Sequence, residues 1–219
     1  MIKYPPFEFW EVFKQSKGAM SASEAIFMYN ACMQVPNEGV WVEMGTAYSK
    51  SAIVSLMAWV DREYYDFHLL EPEFRNDDFL KEALGNLTKF KTKFGGKTFC
   101  FFHPEYSTDF LPKHKQYGYI MWDSGDHGGP LVRSEKALLE DKVIPGGIIV
   151  LHDVFSQFTA CTEAYEELIA SGRYEPVLYN WGEINAYVVN NDLENGNDSW
   201  HQYPELPHPP NFISALKRK

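Results

Sequence analysis

The stretch of sequence from residue 144 to residue 154 reads IPGGIIVLHDV. Its Pro-Gly-Gly at residues 145–147 is typical of a turn, and the apolar run that follows predicts a buried strand, Ile148–His152. His152 and Asp153 therefore stand at the carboxyl end of that strand. Because open α/β sheets bind ligands at the carboxyl ends of their strands, this stretch predicts both a core strand and part of a site.

Strand-like and helix-like segments alternate along the chain on both sides of this stretch. We predict strands over Val40–Met44, Phe67–Leu70, Thr98–Phe102 and Tyr117–Trp122, and helices over Ala52–Val60, Asp77–Phe90, Val132–Asp141 and Gln157–Ser171. Such alternation implies right-handed crossovers, and hence a mostly parallel sheet with helices on both faces.

The end of this pattern differs. Two strand-like runs, Pro176–Tyr179 and Ile184–Val189, are separated by only four residues, and no helix fits in that gap. They predict an antiparallel hairpin. The predicted fold class is therefore α/β, with a mostly parallel seven-stranded sheet, helices on both faces and a terminal antiparallel hairpin.

The 219 residues predict a single domain with three parts. Residues 1–38 are expected to be helical, and Ser21 and Glu24 have the spacing of a helix capping box. This segment could cover a substrate pocket as a lid, although ordinary core packing explains its aromatic residues equally well. Residues 39–190 form the predicted α/β core. Residues 191–219, rich in Asn, Pro and His, are expected to be an irregular tail.

Composition and charge exclude several classes of function. The formal net charge of −10 argues against a surface that follows nucleic acid. No apolar run approaches the roughly 18 residues of a membrane span, and the N-terminus lacks the apolar core of a signal peptide. The three cysteines have neither zinc nor redox spacing. We therefore expect a cytoplasmic protein with no membrane and no nucleic-acid partner.

Polar residues at the predicted strand ends are the candidate site. Gly45 follows the first strand, and Glu71 follows the second strand, where a ribose-binding carboxylate sits in dinucleotide-binding folds. Each signal is weak alone, since an ordinary turn and a solvated loop glutamate have the same sequence. Together they favour a nucleoside-type ligand.

The fourth and fifth strands end in the polar residues Asp123, Asp126, His127, His152 and Asp153. Carboxylates that lie this close repel one another unless a positive group stands between them. The cluster therefore predicts a divalent metal or a cationic ligand. His127 can accept a proton near neutral pH, which makes it a candidate general base.

These segments also resemble a known family. Val42–Ser51 is similar to the first motif of class I S-adenosylmethionine-dependent methyltransferases, and Tyr117–Asp123 to their fourth strand. Residues 144–154 resemble the fifth strand of one subgroup almost residue for residue, namely the bacterial small-molecule and sugar O-methyltransferases of the methyltransferase 24 family. The resemblance covers roughly residues 38–190 and implies a Rossmann-like fold.

The resemblance implies a binding site for the cofactor S-adenosylmethionine. By position, Glu43 and Gly45 would line the methionine part of the cofactor, and Ser51 would lie near its carboxylate. Glu71 would bind the ribose hydroxyls. Ser107, which follows the third strand, would lie near the adenine.

The resemblance also implies the chemistry, which is O-methylation of a small-molecule acceptor. Asp123 would contact the cofactor's amino group or a metal, and His152 and Asp153 would complete a site for Mg²⁺ or a similar divalent ion. His127 matches a proposed general base. Metal activation and direct proton removal by His127 both stay open, and a homo-oligomer is among the states that the sequence allows.

Two departures from the family pattern keep a second reading open. Ser49 stands where the family has a second glycine, and Ser124 displaces a glycine after Asp123. These changes motivate the alternative that the chain binds the cofactor without transferring its methyl group. A nicotinamide-dependent oxidoreductase is a third reading, against which the predicted hairpin and the missing glycines argue.

Overall fold

A computed structural model of the protein describes residues 1–63, 65–124, 129–193 and 212–219. The helices are Phe7–Gln15 (α1), Ala22–Cys32 (α2), Lys50–Ala58 (α3), Asp77–Phe94 (α4), Ser107–Phe110 (α5), Gly129–Leu139 (α6), Thr159–Ala170 (α7) and Trp181–Asn190 (α8). The strands are Val40–Met44 (β1), Asp66–Leu70 (β2), Phe99–His103 (β3), Tyr117–Trp122 (β4), Val143–Leu151 (β5), Tyr174–Pro176 (β6) and Ser214–Arg218 (β7).

The seven strands form one sheet in the order β3-β2-β1-β4-β5-β7-β6. The first five strands are parallel, whereas β7 pairs antiparallel with both β5 and β6. This confirms the predicted fold class, a mostly parallel seven-stranded α/β sheet that ends in antiparallel strands. The strand order reverses between β1 and β4, which is where folds of this type bind their ligands.

The residues predicted for the terminal hairpin are wrong. The second run, Ile184–Val189, lies inside helix α8, and the antiparallel partner of β6 is β7. Asn180 caps α8, since its side chain accepts a hydrogen bond of 3.3 Å from the backbone N–H of Glu183. The prediction of an irregular tail over residues 191–219 is also wrong for β7, which is hydrogen-bonded on both edges.

Each face of the sheet has its own hydrophobic core. Helices α1, α2, α3, α4 and α8 cover one face, around buried residues such as Trp41 and Tyr119. Helices α5, α6 and α7 cover the other face, around residues such as Val42 and Ile120. Neighbouring residues of one strand point to opposite faces, so the central strands are apolar on both sides.

The N-terminal helices belong to this core. Phe9 and Phe13 are fully buried on α1, and α2 begins at the predicted capping box between Ser21 and Glu24. Helix α2 packs against α3, α8 and β5. The N-terminal helices thus form part of the helical layer that covers one face of the sheet. That residues 1–38 also cover a substrate pocket stays a prediction. None of the described helices combines the length and apolar character needed to cross a membrane.

Candidate active site

The loop after β1 is shaped by the backbone of β4. Gly45 has a φ of +75°, and a Cβ atom on it would lie 1.8 Å from the carbonyl oxygen of Asp123. The backbone N–H of Asp123 in turn donates to the carbonyl of Met44 at 3.0 Å. A glycine is therefore required here by the close approach of β4, and this packing holds the ends of β1 and β4 together.

Glu43 is a buried acid at the end of β1 and has no exposed surface. Its Oε1 accepts hydrogen bonds from Thr46 Oγ1 at 2.5 Å and Ser51 Oγ at 2.7 Å. Its Oε2 is buried and accepts no hydrogen bond from the described residues. Burial raises the pKa of Glu43 to about 7, although the hydrogen bonds from Thr46 and Ser51 oppose the shift. A nearby cation would stabilise the ionised form of this acid.

Helix α3 begins close to this acid with a left-handed residue. Ser49, at the N-cap, has a φ of +61° and forms no side-chain cap. This is a conformation that glycine adopts more readily, which explains why a glycine is common at such a position. The uncapped N–H groups of the first turn can bind an anion such as a carboxylate.

A cavity of about 410 Å³ lies at the ends of β1, β2 and β4, and Gly45, Glu71, Ser107 and Ser124 are among the residues that line it. The Glu71 carboxylate accepts hydrogen bonds from the backbone N–H groups of Ala47 (3.1 Å) and Glu73 (3.2 Å). Glu71 therefore supports the loop after β1. Burial raises the pKa of Glu71, against the effect of these two hydrogen bonds.

Two residues that line the cavity, Ser107 and Ser124, are hydrogen-bonded to a buried acid that the sequence analysis did not name as a site residue. Glu135, on α6, is fully buried and accepts hydrogen bonds from Trp122 Nε1 (2.7 Å), Ser124 Oγ (2.5 Å) and Ser107 Oγ. The network fixes the hydroxyl groups of Ser107 and Ser124. The residue that departs from the family pattern, Ser124, thus has a structural partner.

The ends of β4 and β5 bring Asp123, His152 and Asp153 together, as the sequence predicted. His152 Nδ1 lies 3.5 Å from Asp123 Oδ1 and 3.4 Å from Asp153 Oδ2. Asp153 has a φ of +58°, a conformation that Asp tolerates better than most residues. One ligand atom from each of the three side chains lies within 4.8 Å of the others.

A third carboxylate, which the sequence analysis did not place here, faces the other side of the imidazole. Glu24 Oε1 lies 3.5 Å from His152 Nε2. Burial by itself would lower the pKa of His152, but Asp123, Asp153 and Glu24 raise it well above its ordinary value. Burial would likewise raise the pKa of Glu24, but the pairing with His152 and the hydrogen bonds from Ser21 hold it below its usual range. Only the tertiary fold brings residues 24 and 152 together.

These residues fit a divalent metal ion. Both ring nitrogens of His152 are buried, and neither forms a hydrogen bond with the described residues. Two carboxylates and one imidazole form a mixed oxygen and nitrogen ligand set. Such a set suits Mn²⁺, Fe²⁺ or Zn²⁺ better than Mg²⁺, which prefers oxygen ligands. A protonated His152 is the other way to balance the charge of the carboxylates.

The structure thus gathers most of the predicted residues at one edge of the sheet. Gly45, Glu71 and Ser107 line the cavity, and Ser51 is hydrogen-bonded to Glu43 beside it. Asp126 and His127 lie outside the described residues, so the role of His127 as a base stays a prediction.

No protein-family model and no curated protein matches the sequence. Several solved structures are similar in fold. The SAH-bound Podospora anserina methyltransferase PaMTH1 is 13% identical, with a TM-score of 0.56 over 97% of this chain and 86% of that chain. The O-methyltransferase TomG from Streptomyces achromogenes, solved with SAM, is 14% identical, with a TM-score of 0.55 over 81% of this chain and 83% of that chain.

A third similar structure is the O-methyltransferase NovP, which is 14% identical, with a TM-score of 0.54 over 90% of this chain and 80% of that chain. At these identities the likeness concerns the fold, and it agrees with the strand order and the antiparallel end of the sheet. The chain therefore has the fold of the S-adenosylmethionine-dependent methyltransferases.

Proposed function

We propose that this protein is an S-adenosylmethionine-dependent methyltransferase that methylates an oxygen atom of a small molecule or a sugar. One observation carries the proposal. The cavity that Gly45, Glu71 and Ser107 line also includes Ser124, which follows Asp123 of the acidic and histidine cluster. The cavity proposed to bind the nucleoside and the cluster proposed to bind the reacting oxygen are thus neighbours at the switch point of the sheet.

The cofactor is proposed to lie along the ends of β1 and β2. Its ribose hydroxyls would donate to Glu71, and its adenine would lie near Ser107. Its amino acid part would pass Gly45, with the amino group near Glu43 and Asp123 and the carboxylate near Ser51, at the uncapped start of α3. This placement would bring the positively charged amino group of the cofactor close to the buried Glu43 Oε2, which has no hydrogen-bond donor among the described residues.

The acceptor is proposed to bind beside Asp123, His152 and Asp153. A divalent ion bound by these three side chains would lower the pKa of the acceptor's hydroxyl group. The protein must also align the acceptor oxygen with the methyl group and receive a proton. His127 is the proposed base, since it lies four residues after Asp123 in the chain and an unperturbed histidine side chain can accept a proton near neutral pH.

Calorimetry with S-adenosylhomocysteine tests the cofactor site. We expect binding to the wild-type protein, and we expect Glu71→Ala to weaken it by about 1–3 kcal/mol, because a charged hydrogen-bond partner of the ribose is lost. Glu73→Ala is the matched control. It removes an exposed carboxylate from the edge of the same cavity and should leave the affinity nearly unchanged.

Three results would argue against the proposal. Unchanged affinity in Glu71→Ala would remove Glu71 from the site. Protection against thermal unfolding by NAD but not by S-adenosylhomocysteine would favour an oxidoreductase. Cofactor binding without methyl transfer to any oxygen acceptor would favour the alternative of a binding protein that has kept the fold and lost turnover.

A further inference from the structure

The capping box of helix α2 uses only one of the two carboxylate oxygens of Glu24. Glu24 is the third residue of α2 and closes the capping box with Ser21. Only Oε2 takes part, accepting from the Ser21 backbone N–H at 3.0 Å and from Ser21 Oγ at 2.9 Å. Oε1 faces His152 Nε2 at 3.5 Å.

A glutamine would serve the capping box as well as a glutamate does. Glu24 is nonetheless a carboxylate with only 5% of its surface exposed, and burying a charge is unfavourable unless that charge is paired. The partner in reach is the imidazole of His152. The negative charge at position 24 is therefore explained by His152 and not by the helix cap.

The same contact decides which ring nitrogen faces the cluster. With Nε2 directed at Glu24, Nδ1 is directed at Asp123 and Asp153. A carboxylate that holds the far nitrogen of a ligand histidine fixes the orientation of the ring and the nitrogen that carries the proton. Removal of such partners typically weakens metal binding by roughly 10–100-fold.

We propose that Glu24 is a positioning residue: its carboxylate, with Oε1 3.5 Å from Nε2, attracts the Nε2–H of His152 and keeps Nδ1 directed at Asp123 and Asp153. The N-terminal helix α2 thereby contributes to the site at the strand ends. The use of this arrangement in methyl transfer rests on the proposed function, whereas the positioning itself can be tested without cofactor or acceptor.

The test is nuclear magnetic resonance of protein labelled with ¹⁵N in its histidine rings, with the His152 signals assigned through a His152→Asn variant. In the wild type we expect an Nε2–H proton that exchanges slowly with water. In Glu24→Gln, Ser21 can keep the amide oxygen, so the amide NH₂ group faces His152. Two donors would then oppose each other, and we expect the Nε2–H signal to vanish or to exchange at least about tenfold faster.

Ser21→Ala is the matched control, because it weakens the capping box but leaves the carboxylate of Glu24. We expect its Nε2–H signal to resemble that of the wild type. A wild-type protein without a protected Nε2–H, or the same signal in Glu24→Gln, would overturn the proposal. Loss of the signal in Ser21→Ala as well would show that the cap, and not the charge, holds the ring, and would overturn it too.

Titration with Mn²⁺ alone gives a second readout. If the wild type binds the ion, Glu24→Gln should bind it about 10–100-fold more weakly and Ser21→Ala nearly as well as the wild type. Equal affinity in Glu24→Gln would contradict the positioning role. A wild type that does not bind Mn²⁺ would count against the metal in the proposed function, and the Nε2–H signal would still decide the role of Glu24.

Discussion

Gly45 is the residue whose identity the structure explains most directly. A side chain there meets the carbonyl group of Asp123 and also requires an unfavourable positive φ. From the sequence, Gly45 is assigned to the site of a nucleoside-type ligand. The structure adds that the nearest neighbour is the backbone of β4, a contact that only the folded sheet creates.

We expect Gly45→Ala to lower the free energy of unfolding by about 3 kcal/mol or more, since both the strain and the clash must be relieved by moving β4. Gly85→Ala is the control. Gly85 lies in α4 and has open space around its Cβ position, so an alanine should stabilise the helix by roughly 0.5–1 kcal/mol. Urea denaturation measures both variants, and a Gly45→Ala protein as stable as the wild type would contradict the geometry of this loop.

Glu43 should make stability depend on pH. Its pKa rises from 4.5 to about 7 on folding, so the folded state binds the proton more tightly than the unfolded state does. The resulting stabilisation is fully present below about pH 4.5 and is lost as pH rises through about 7. A shift of this size corresponds to about 3 kcal/mol.

We therefore expect Glu43→Gln to gain stability relative to the wild type as pH rises from 4.5 to 8. The glutamine oxygen can still accept from Thr46 and Ser51, while the ionisable group is gone. Denaturation curves at several pH values measure this difference. Glu82→Gln, which replaces an exposed carboxyl on α4, should change stability by less than about 0.5 kcal/mol throughout. A difference between wild type and Glu43→Gln that does not vary with pH would refute the assignment.

At the scale of elements, β1, β4 and helix α8 show what sequence periodicity can and cannot decide. Strands β1 and β4 begin and end at the predicted residues, because short apolar runs bounded by turns have few other solutions. Helix α8 was predicted as a strand. Its buried residues Ile184 and Val188 are four apart, and that spacing shares a face in a helix and in a strand alike.

Ala186 distinguishes the two structures. In a strand it would share the buried face of Ile184 and Val188, whereas in α8 it is exposed. We expect Ala186→Lys to change the free energy of unfolding by less than about 0.5 kcal/mol and Ile184→Ala to lower it by about 2–5 kcal/mol. Severe destabilisation by Ala186→Lys would support the strand instead.

The candidate site was likewise predicted from the sequence only in part. The sequence placed Asp123, His152 and Asp153 together because parallel strands end at one edge of a sheet. It did not place Glu24 or Glu135 there, since these acids lie on helices that reach the site from opposite faces of the sheet. Contacts of that kind depend on helix packing, for which a local pattern carries no signal.

At the scale of the whole molecule, the sheet depends on β7. Its short sequence, SALKR, carries two basic residues and shows weak alternation, and it lies within the stretch whose richness in Asn, Pro and His predicts an irregular tail. In the structure it lies between β5 and β6 and buries Ala215 and Leu216. Strand β6 lies at the edge of the sheet, and β7 is its only neighbour among the described strands.

We expect removal of residues 212–219 to abolish cooperative unfolding, because β5 loses one of its two neighbouring strands, β6 loses the strand that joins it to the sheet, and both faces of the core are opened. Removal of Lys219 alone is the control, since it deletes one hydrogen bond of 2.9 Å to Arg173 and should lower stability by at most about 1.5 kcal/mol. Calorimetric melting compares the two proteins. A sharp, wild-type-like transition in the shorter one would show that β7 is dispensable.

The place of β7 also sets an order of assembly. Residues 174–176 lie much closer in sequence to β5 than residues 214–218 do, yet β6 joins the sheet only through β7, which pairs with β5. Closing the long loop between β5 and β7 is entropically unfavourable and therefore slow. In pulse-labelling hydrogen exchange during refolding, the amide protons of β6 should thus gain protection together with those of β7, and after those of the parallel strands.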